Sequence, residues 1–457
     1  MNTAAKCRML GSSWLRFSNV LLALGVLATA ASAHAQEATG AEVTFTEDVA
    51  PIFYQNCVSC HRSGSIAPMS LLTYEAARPY APLIKEMVSN RKMPPWFVDK
   101  TVGLQNFKDD RSLSDEEIAT IAMWVDSGTP QGDPAAMPPV PTFEDRVYDW
   151  TLEDEMGRPP DHIIAMPESF TIPGNSGNLF PRHISESGLE EDRWIMAYET
   201  KPSLDGFAVV HHNGTTFLYP DGTTEEFGEY ALGKTGDIFP ENTGRFIPAG
   251  TKIQWSSHYS GSRDGEDHTD QSRLALWFYP EGVEPEHRIN RDRWAAISDL
   301  DIPPHTESVR SDGFTILHEN VRLTAYQPHM HNLGARQCLE VIYPDQRRQT
   351  LNCMGWDFGW HIAYNYADDE QPLLPKGSVI HLTNWHNNSE SNPWAGDPDN
   401  WVGYGQRSTD DMAFAHMTNY YLSDEEFEEH VQERLMLLQE KKQMAEESGG
   451  SGGGGGG

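Results

Sequence analysis

Apolar positions recur with two different spacings in two parts of the chain. Before residue 130 the spacing is helical. Ile118, Ile121, Ala122 and Val125 share one face, and Ser114-Asp115-Glu116-Glu117 supplies a cap and an acidic first turn ahead of them. From residue 145 to 423, short β-type runs alternate with Gly, Pro, Asn and Asp turns. Ser169-Phe170-Thr171-Ile172-Pro173, Phe207-Ala208-Val209-Val210, Leu274-Ala275-Leu276-Trp277-Phe278-Tyr279 and Val321-Arg322-Leu323-Thr324-Ala325-Tyr326 are runs of this kind. Their regularity predicts two all-β sandwiches, joined near Asp301-Ile302-Pro303-Pro304. Ser423-Asp424-Glu425-Glu426 then caps a charged helix, and residues 448–457 are Gly and Ser only. The expected fold is multidomain: a small all-α domain, two jelly-roll-like all-β sandwiches, a C-terminal helix and a flexible tail, native or appended.

The first 35 residues read as an export signal. Lys6, Arg8 and Arg16 precede the apolar run 20–28, and Ala33-His34-Ala35 is a small-residue cleavage site, so the mature chain is expected to start at Gln36. The alternative, a retained anchor, needs a longer apolar run. A periplasmic or secreted protein without stable membrane insertion is expected. The formal charge of −33 over 457 residues argues against a nucleic-acid partner, which requires cationic patches.

Cysteine usage fits export. Cys7 leaves with the signal. Cys338 and Cys353 sit equidistant from a polar turn at Pro344-Asp345-Gln346-Arg347, so a hairpin would set them opposite each other. A disulfide is expected; the alternative is two buried thiols.

Cys57-Val58-Ser59-Cys60-His61 is C-x-x-C-H, the attachment pattern of a c-type haem. The two thiols would form thioethers and His61 would be the proximal iron ligand. A zinc or redox C-x-x-C is disfavoured by the export signal and the adjacent histidine. Met93, in Lys92-Met93-Pro94-Pro95-Trp96, is the candidate sixth ligand, because the prolines hold its loop stiff. Met69, Met87 and Met123 are rivals, the last two on amphipathic stretches that point to a core role. Residues 36–135 resemble a class I cytochrome c domain, and a proline-rich linker, 136–160, follows.

The β region carries a second chemistry. His329-Met330-His331 places two imidazoles on one face of a strand, because strand side chains alternate. His211-His212 ends an apolar run. Neighbouring strand residues point opposite ways, so both reach one ion only at a bend or strand end. His258, in Trp255-Ser256-Ser257-His258-Tyr259, is a candidate third ligand. Met412, in Ser408-Thr409-Asp410-Asp411-Met412, offers a soft thioether that favours copper over zinc. Each piece alone also reads as core or surface.

Together, and in this order, these residues resemble the copper type II monooxygenases, the family of peptidylglycine α-hydroxylating monooxygenase and dopamine β-monooxygenase. The matching pieces are His211-His212, His258-Tyr259, His329-Met330-His331 with Leu333-Gly334, and Ser408-Thr409-Asp410-Asp411-Met412. The resemblance implies two linked sandwiches, 161–300 and 301–423. The first would hold a copper on His211, His212 and His258 that stores an electron. The second would hold a copper on His329, His331 and Met412, where O2 binds and a C–H bond breaks.

The chain departs from the peptide enzyme at the positions that hold a substrate carboxylate, where Gln327, Phe414 and His416 stand, so glycine-extended peptides are not the expected substrates. Trp356, Trp360 and Phe414 are candidate pocket residues. His386 is either a structural echo of a ligand or an additional copper neighbour. His183, His268, His287, His305, His318, His361 and His381 are expected at the surface or in hydrogen bonds. The expected activity is monooxygenation of a small organic substrate with O2. One covalent haem c and two copper ions serve it, with electrons from a periplasmic donor. The alternative is a haem and copper electron-transfer protein without turnover.

Overall fold

The computed structural model describes residues 43–62, 67, 69–108, 110–141, 150–231, 236–261 and 265–449. The expected signal segment 1–35, the tail beyond 449 and part of the expected linker lie outside them.

Two pairs of β-sheets, each pair around its own apolar core, make up most of the structure. In the first pair, His162–Ala165, Arg273–Phe278, Arg193–Lys201 and Thr243–Ile247 form one sheet. Arg182–Glu186, Lys252–Tyr259, Val210–Leu218 and Thr224–Ala231 form the other. Ile195, Phe217, Ile253, Trp255, Leu274 and Leu276 fill the space between them. In the second pair, Asn290–Trp294, Ala413–Leu422 and Asn320–Met330 face Thr306–Ile316, Val379–Asn388, Gly334–Ile342 and Arg348–Gly355. Leu323, Tyr326, Leu339, Val341, Ile380 and Leu382 form this core. The chain enters the second pair by Asn290, because Asn290–Trp294 pairs with Ala413–Leu422. Among the described residues no helix is long and apolar enough to cross a membrane.

The predicted strands at 169–173, 274–279 and 321–326 are present as Phe170–Ile172, Arg273–Phe278 and Asn320–Met330. The run at 207–210 is different. Asp205–Ala208 is a helical turn, and the strand begins at Val210. The buried Asp270 carboxylate causes this. It accepts from the Ser203 amide at 2.9 Å and lies so close to Gly206 that a Cβ there would meet its Oδ1 at 2.4 Å. The chain therefore has to turn over Asp270 before extending.

Cys338 and Cys353 are direct cross-strand partners between Gly334–Ile342 and Arg348–Gly355, and they form the expected disulfide. Both expected caps are present. Ser114 and Glu117 reciprocate at the start of Asp115–Asp126, and Ser423 and Glu426 do so at the start of Asp424–Gly449.

Short helices between Phe45 and Asp126 enclose a separate apolar cluster that includes Phe45, Phe53, Leu71, Ile84, Ile121 and Trp124. The segment between the last two of them leaves this cluster and joins the second pair of sheets. Trp96 and Phe107 belong to that core, with Trp96 4.9 Å from Tyr364 and Phe107 stacked 5.3 Å from Tyr366. The backbone follows, with the Asp99 amide donating to Cys353 O and the Leu104 amide to Leu351 O.

Candidate metal centre

The sheets that carry the histidines turn their outer faces toward each other. On Lys252–Tyr259, Ile253, Trp255 and Ser257 are buried toward the core, so His258 points outward. On Val210–Leu218, Asn213, Thr215 and Phe217 face inward and His212 outward. A register shift between Val210 and His212, opposite Tyr259 and His258, makes His211 the extra residue of a bulge. The bulge puts both rings on one side. The ligand atoms of His211, His212 and His258 all lie within 4.8 Å of one another.

Across the cleft, Gln327, His329 and His331 alternate on the outer face of Asn320–Met330 and its end, while Tyr326 and Met330 pack inward. The rings of His329 and His331 are 5.4 Å apart. Met412 is buried beside them in sequence register, because Met330 pairs with Ala413. Phe414 stacks on His329 at 4.3 Å. His331 Nδ1 donates to the Asp410 carbonyl at 3.1 Å, which leaves its Nε2 for an ion.

Asp411 fixes this second set. Fully buried, its carboxylate accepts from the amides of His331, Leu333 and Met412 at 2.8–2.9 Å. His386 stands behind it, with Nε2 3.5 Å from Asp411 Oδ1. His386 therefore touches the centre through Asp411.

Two residues were not expected here. His361 is buried in the cleft, 5.5 Å from His211, 5.0 Å from His212 and 5.7 Å from His329 by ring centroids. The expectation of a surface or hydrogen-bonded role is corrected: it is 2% exposed, and among the described residues neither ring nitrogen has a hydrogen-bond partner. Glu229 is the other. Its Oε1 lies 3.7 Å from His212 Nδ1 and 4.0 Å from His361 Nδ1, and its Oε2 accepts from Arg291 at 3.2 Å and Gln327 at 3.3 Å. The only sequence signal for His361 was a histidine among aromatics, Trp356-Asp357-Phe358-Gly359-Trp360-His361. In contrast, His268, His305 and His381 pair with carboxylates as expected.

Burial favours the neutral form of six imidazoles at the site. It lowers His211, and lowers His212, His329, His361 and His416 well below the usual histidine range, with neighbouring imidazoles adding to the effect on the last four. His258 is pushed down to about 3 by burial, then by His211 and His331. Neutral imidazoles are the ligand form. Buried polar atoms without partners include His211 Nδ1, His258 Nε2 and both nitrogens of His361. Each such atom costs about 1–3 kcal/mol unless something satisfies it. A soft or borderline cation bound by nitrogen fits that demand, and for the second set a thioether adds to the fit.

At the C-x-x-C-H turn, Cys57 and Cys60 are free thiols. Burial, with Cys60 nearby, pushes the Cys57 thiol up to about 12. His61 Nδ1 donates to the Met69 carbonyl at 3.2 Å, leaving Nε2 for an iron. These features fit a covalently attached haem. Met93 lines a cleft with Val88, Arg91, Trp96 and Ile118, and Cys57, Cys60 and His61 are not among the residues of that cleft.

No protein-family model matches the chain, and no curated protein matches it. Among solved structures it aligns with the major capsid protein of bacteriophage PM2, over 56% of this chain and 99% of that one, at 8% identity and a TM-score of 0.28. An alignment with Sulfolobus Turreted Icosahedral Virus covers 51% and 92%, at 7% identity and 0.23. One with oxalate decarboxylase from Bacillus subtilis covers 63% and 86%, at 8% identity and 0.14. At these scores the alignments carry no argument about this chain.

Proposed function

We propose that the chain is an exported copper-dependent monooxygenase of the copper type II family, served by a c-type haem within the same chain. The observation that supports this reading is the facing of two imidazole sets, His211/His212/His258 and His329/His331 with Met412, from separate pairs of sheets. Bound copper would supply one-electron redox chemistry and O2 activation, and the haem would supply electrons singly. Insertion of one oxygen atom into a C–H bond consumes O2, two electrons and two protons, and releases water.

The protein's own part is positioning. Asp410 and Asp411 orient His331 and the Met412 backbone, and Phe414 fixes the His329 ring. Cys57 and Cys60 would carry the haem, His61 one axial position and Met93 the other. The helical cluster of residues 43–137 would then be the cytochrome c domain.

The substrate reading follows from the charges in the cleft. Gln327 accepts from Arg291, Arg291 pairs with Glu229, and Arg293 pairs with Glu226. Both guanidinium groups are thus matched by carboxylates. A small organic substrate without a carboxylate suits this cleft better than a glycine-extended peptide.

The test is a single turnover of reduced, copper-loaded protein with isotopically labelled O2 and a panel of small apolar compounds. Labelled alcohol from the wild type, and none from His329→Ala or Met412→Ala, is the expected result. Reoxidation of haem and copper without labelled product from any compound would leave an electron-transfer protein instead.

A further inference from the structure

His361 belongs to the second pair of sheets, on the segment between Arg348–Gly355 and Tyr364–Asn365. Its ring nevertheless lies against the histidines of the first pair. It is 5.5 Å from His211 and 5.0 Å from His212, while His211, His212 and His258 are 4.8–5.6 Å from one another. By ring centroid His361 is thus as close to two of the three as they are to one another, although the group whose ligand atoms all lie within 4.8 Å holds only those three.

The hydrogen-bonding state of the ring points the same way. Both nitrogens are buried, with no hydrogen-bond partner among the described residues. Glu229 Oε1 faces Nδ1 of His361 and Nδ1 of His212 alike, at 4.0 and 3.7 Å. Both distances exceed a hydrogen bond; shortened to one on metal binding, they would put the proton on Nδ1 and leave Nε2 of each ring for an ion, the usual way in which metal-bound imidazoles are oriented. Arg291 and Gln327 hold the other oxygen of Glu229, so the carboxylate has a fixed place in the cleft.

We propose that His361 is a fourth imidazole ligand of the His211/His212/His258 centre, delivered across the cleft from the second pair of sheets. The proposal rests on the metal-centre reading above. A set of four nitrogen donors closes a tetrahedral ion to outside ligands. It also makes the ion a tie between the two pairs of sheets.

The test uses full-length, haem-loaded protein in a His329→Ala background, so that copper alone, as probe, reports the first centre. Cu(I) affinity is read against a chelator, and the Cu(II) centre by electron paramagnetic resonance. Adding His361→Ala is expected to weaken binding at least about tenfold, as removal of even an outer-sphere partner commonly does. The nitrogen hyperfine pattern is expected to change as well. His361→Gln, which keeps most of the volume, is expected to behave like His361→Ala, with the metal-free melting temperature of each variant checking the fold. Unchanged affinity and spectrum in folded His361→Ala would overturn the proposal while leaving a three-histidine centre intact. Absence of copper uptake before His361 is altered would overturn the metal-centre reading, and this proposal with it.

Discussion

The imidazole rings of His212 and His361 stack 5.0 Å apart at 28°, although one is carried by the first pair of sheets and the other by the second. This contact places the two halves of the candidate site within reach of each other. It also ties the chemistry to the closure of the cleft, which Arg291–Glu229 and Arg293–Glu226 span as ion pairs.

Asp411 organises the second set through three backbone amides. Asp411→Ala leaves those buried donors unmatched and is expected to cost about 3–5 kcal/mol of stability. Asp411→Asn keeps the shape and one oxygen, so the loss should be smaller. Both variants should weaken copper binding at His329, His331 and Met412 and spare the other centre. Denaturant unfolding and site-resolved copper titration check this; equal weakening at both centres would contradict it.

The copper-free protein should lose stability as pH falls through the histidine range. His258 is protonated near pH 6.5 in the unfolded chain but only at about 3 when folded. Between those values the unfolded state binds the extra proton. Stability is therefore full above about pH 6.5 and declines below it, by about 1.4 kcal/mol per pH unit for each such imidazole. Melting temperatures from pH 7.5 down to pH 5 lie above most of the carboxylate range and read the histidines. A flat profile would contradict the burial described for the cleft.

How much of this was legible from the chain depends on periodicity. His329 and His331 share a face because a spacing of two does so on any strand, and the disulfide followed from the symmetry of a hairpin. The joining of His211 to His212 needed a bulge, which sequence permits but does not demand. His361 follows no repeat, and only the packing of its aromatic loop brings it into the cleft. Trp96 and Phe107 were hidden in the same way. Nothing in their local pattern tells that they join the second core rather than the helical cluster.

The disulfide closes a loop with a sequence separation of 15 between adjacent strands. Replacing both cysteines with serine should cost about 3 kcal/mol by chain entropy. Metal content should not change, because the bond lies on the sheet away from the cleft-facing strands. Thermal unfolding with and without reductant checks the first point, and metal analysis of the variant checks the second.

Cys57→Ala with Cys60→Ala should abolish covalent haem and leave copper binding intact. Met93→Ala should remove the methionine–iron charge-transfer band of the oxidised haem. Retention of that band in Met93→Ala, with its loss in Met69→Ala, would assign the ligand to Met69.

The central claim is most directly tested by counting copper and iron per chain on haem-matured, copper-loaded protein, beside His258→Ala and Met412→Ala. Two coppers and one iron in the wild type, with a different copper lost or weakened in each variant, is the predicted result. One copper or none beside one iron would contradict the account and leave a haem protein fused to paired β-sheets.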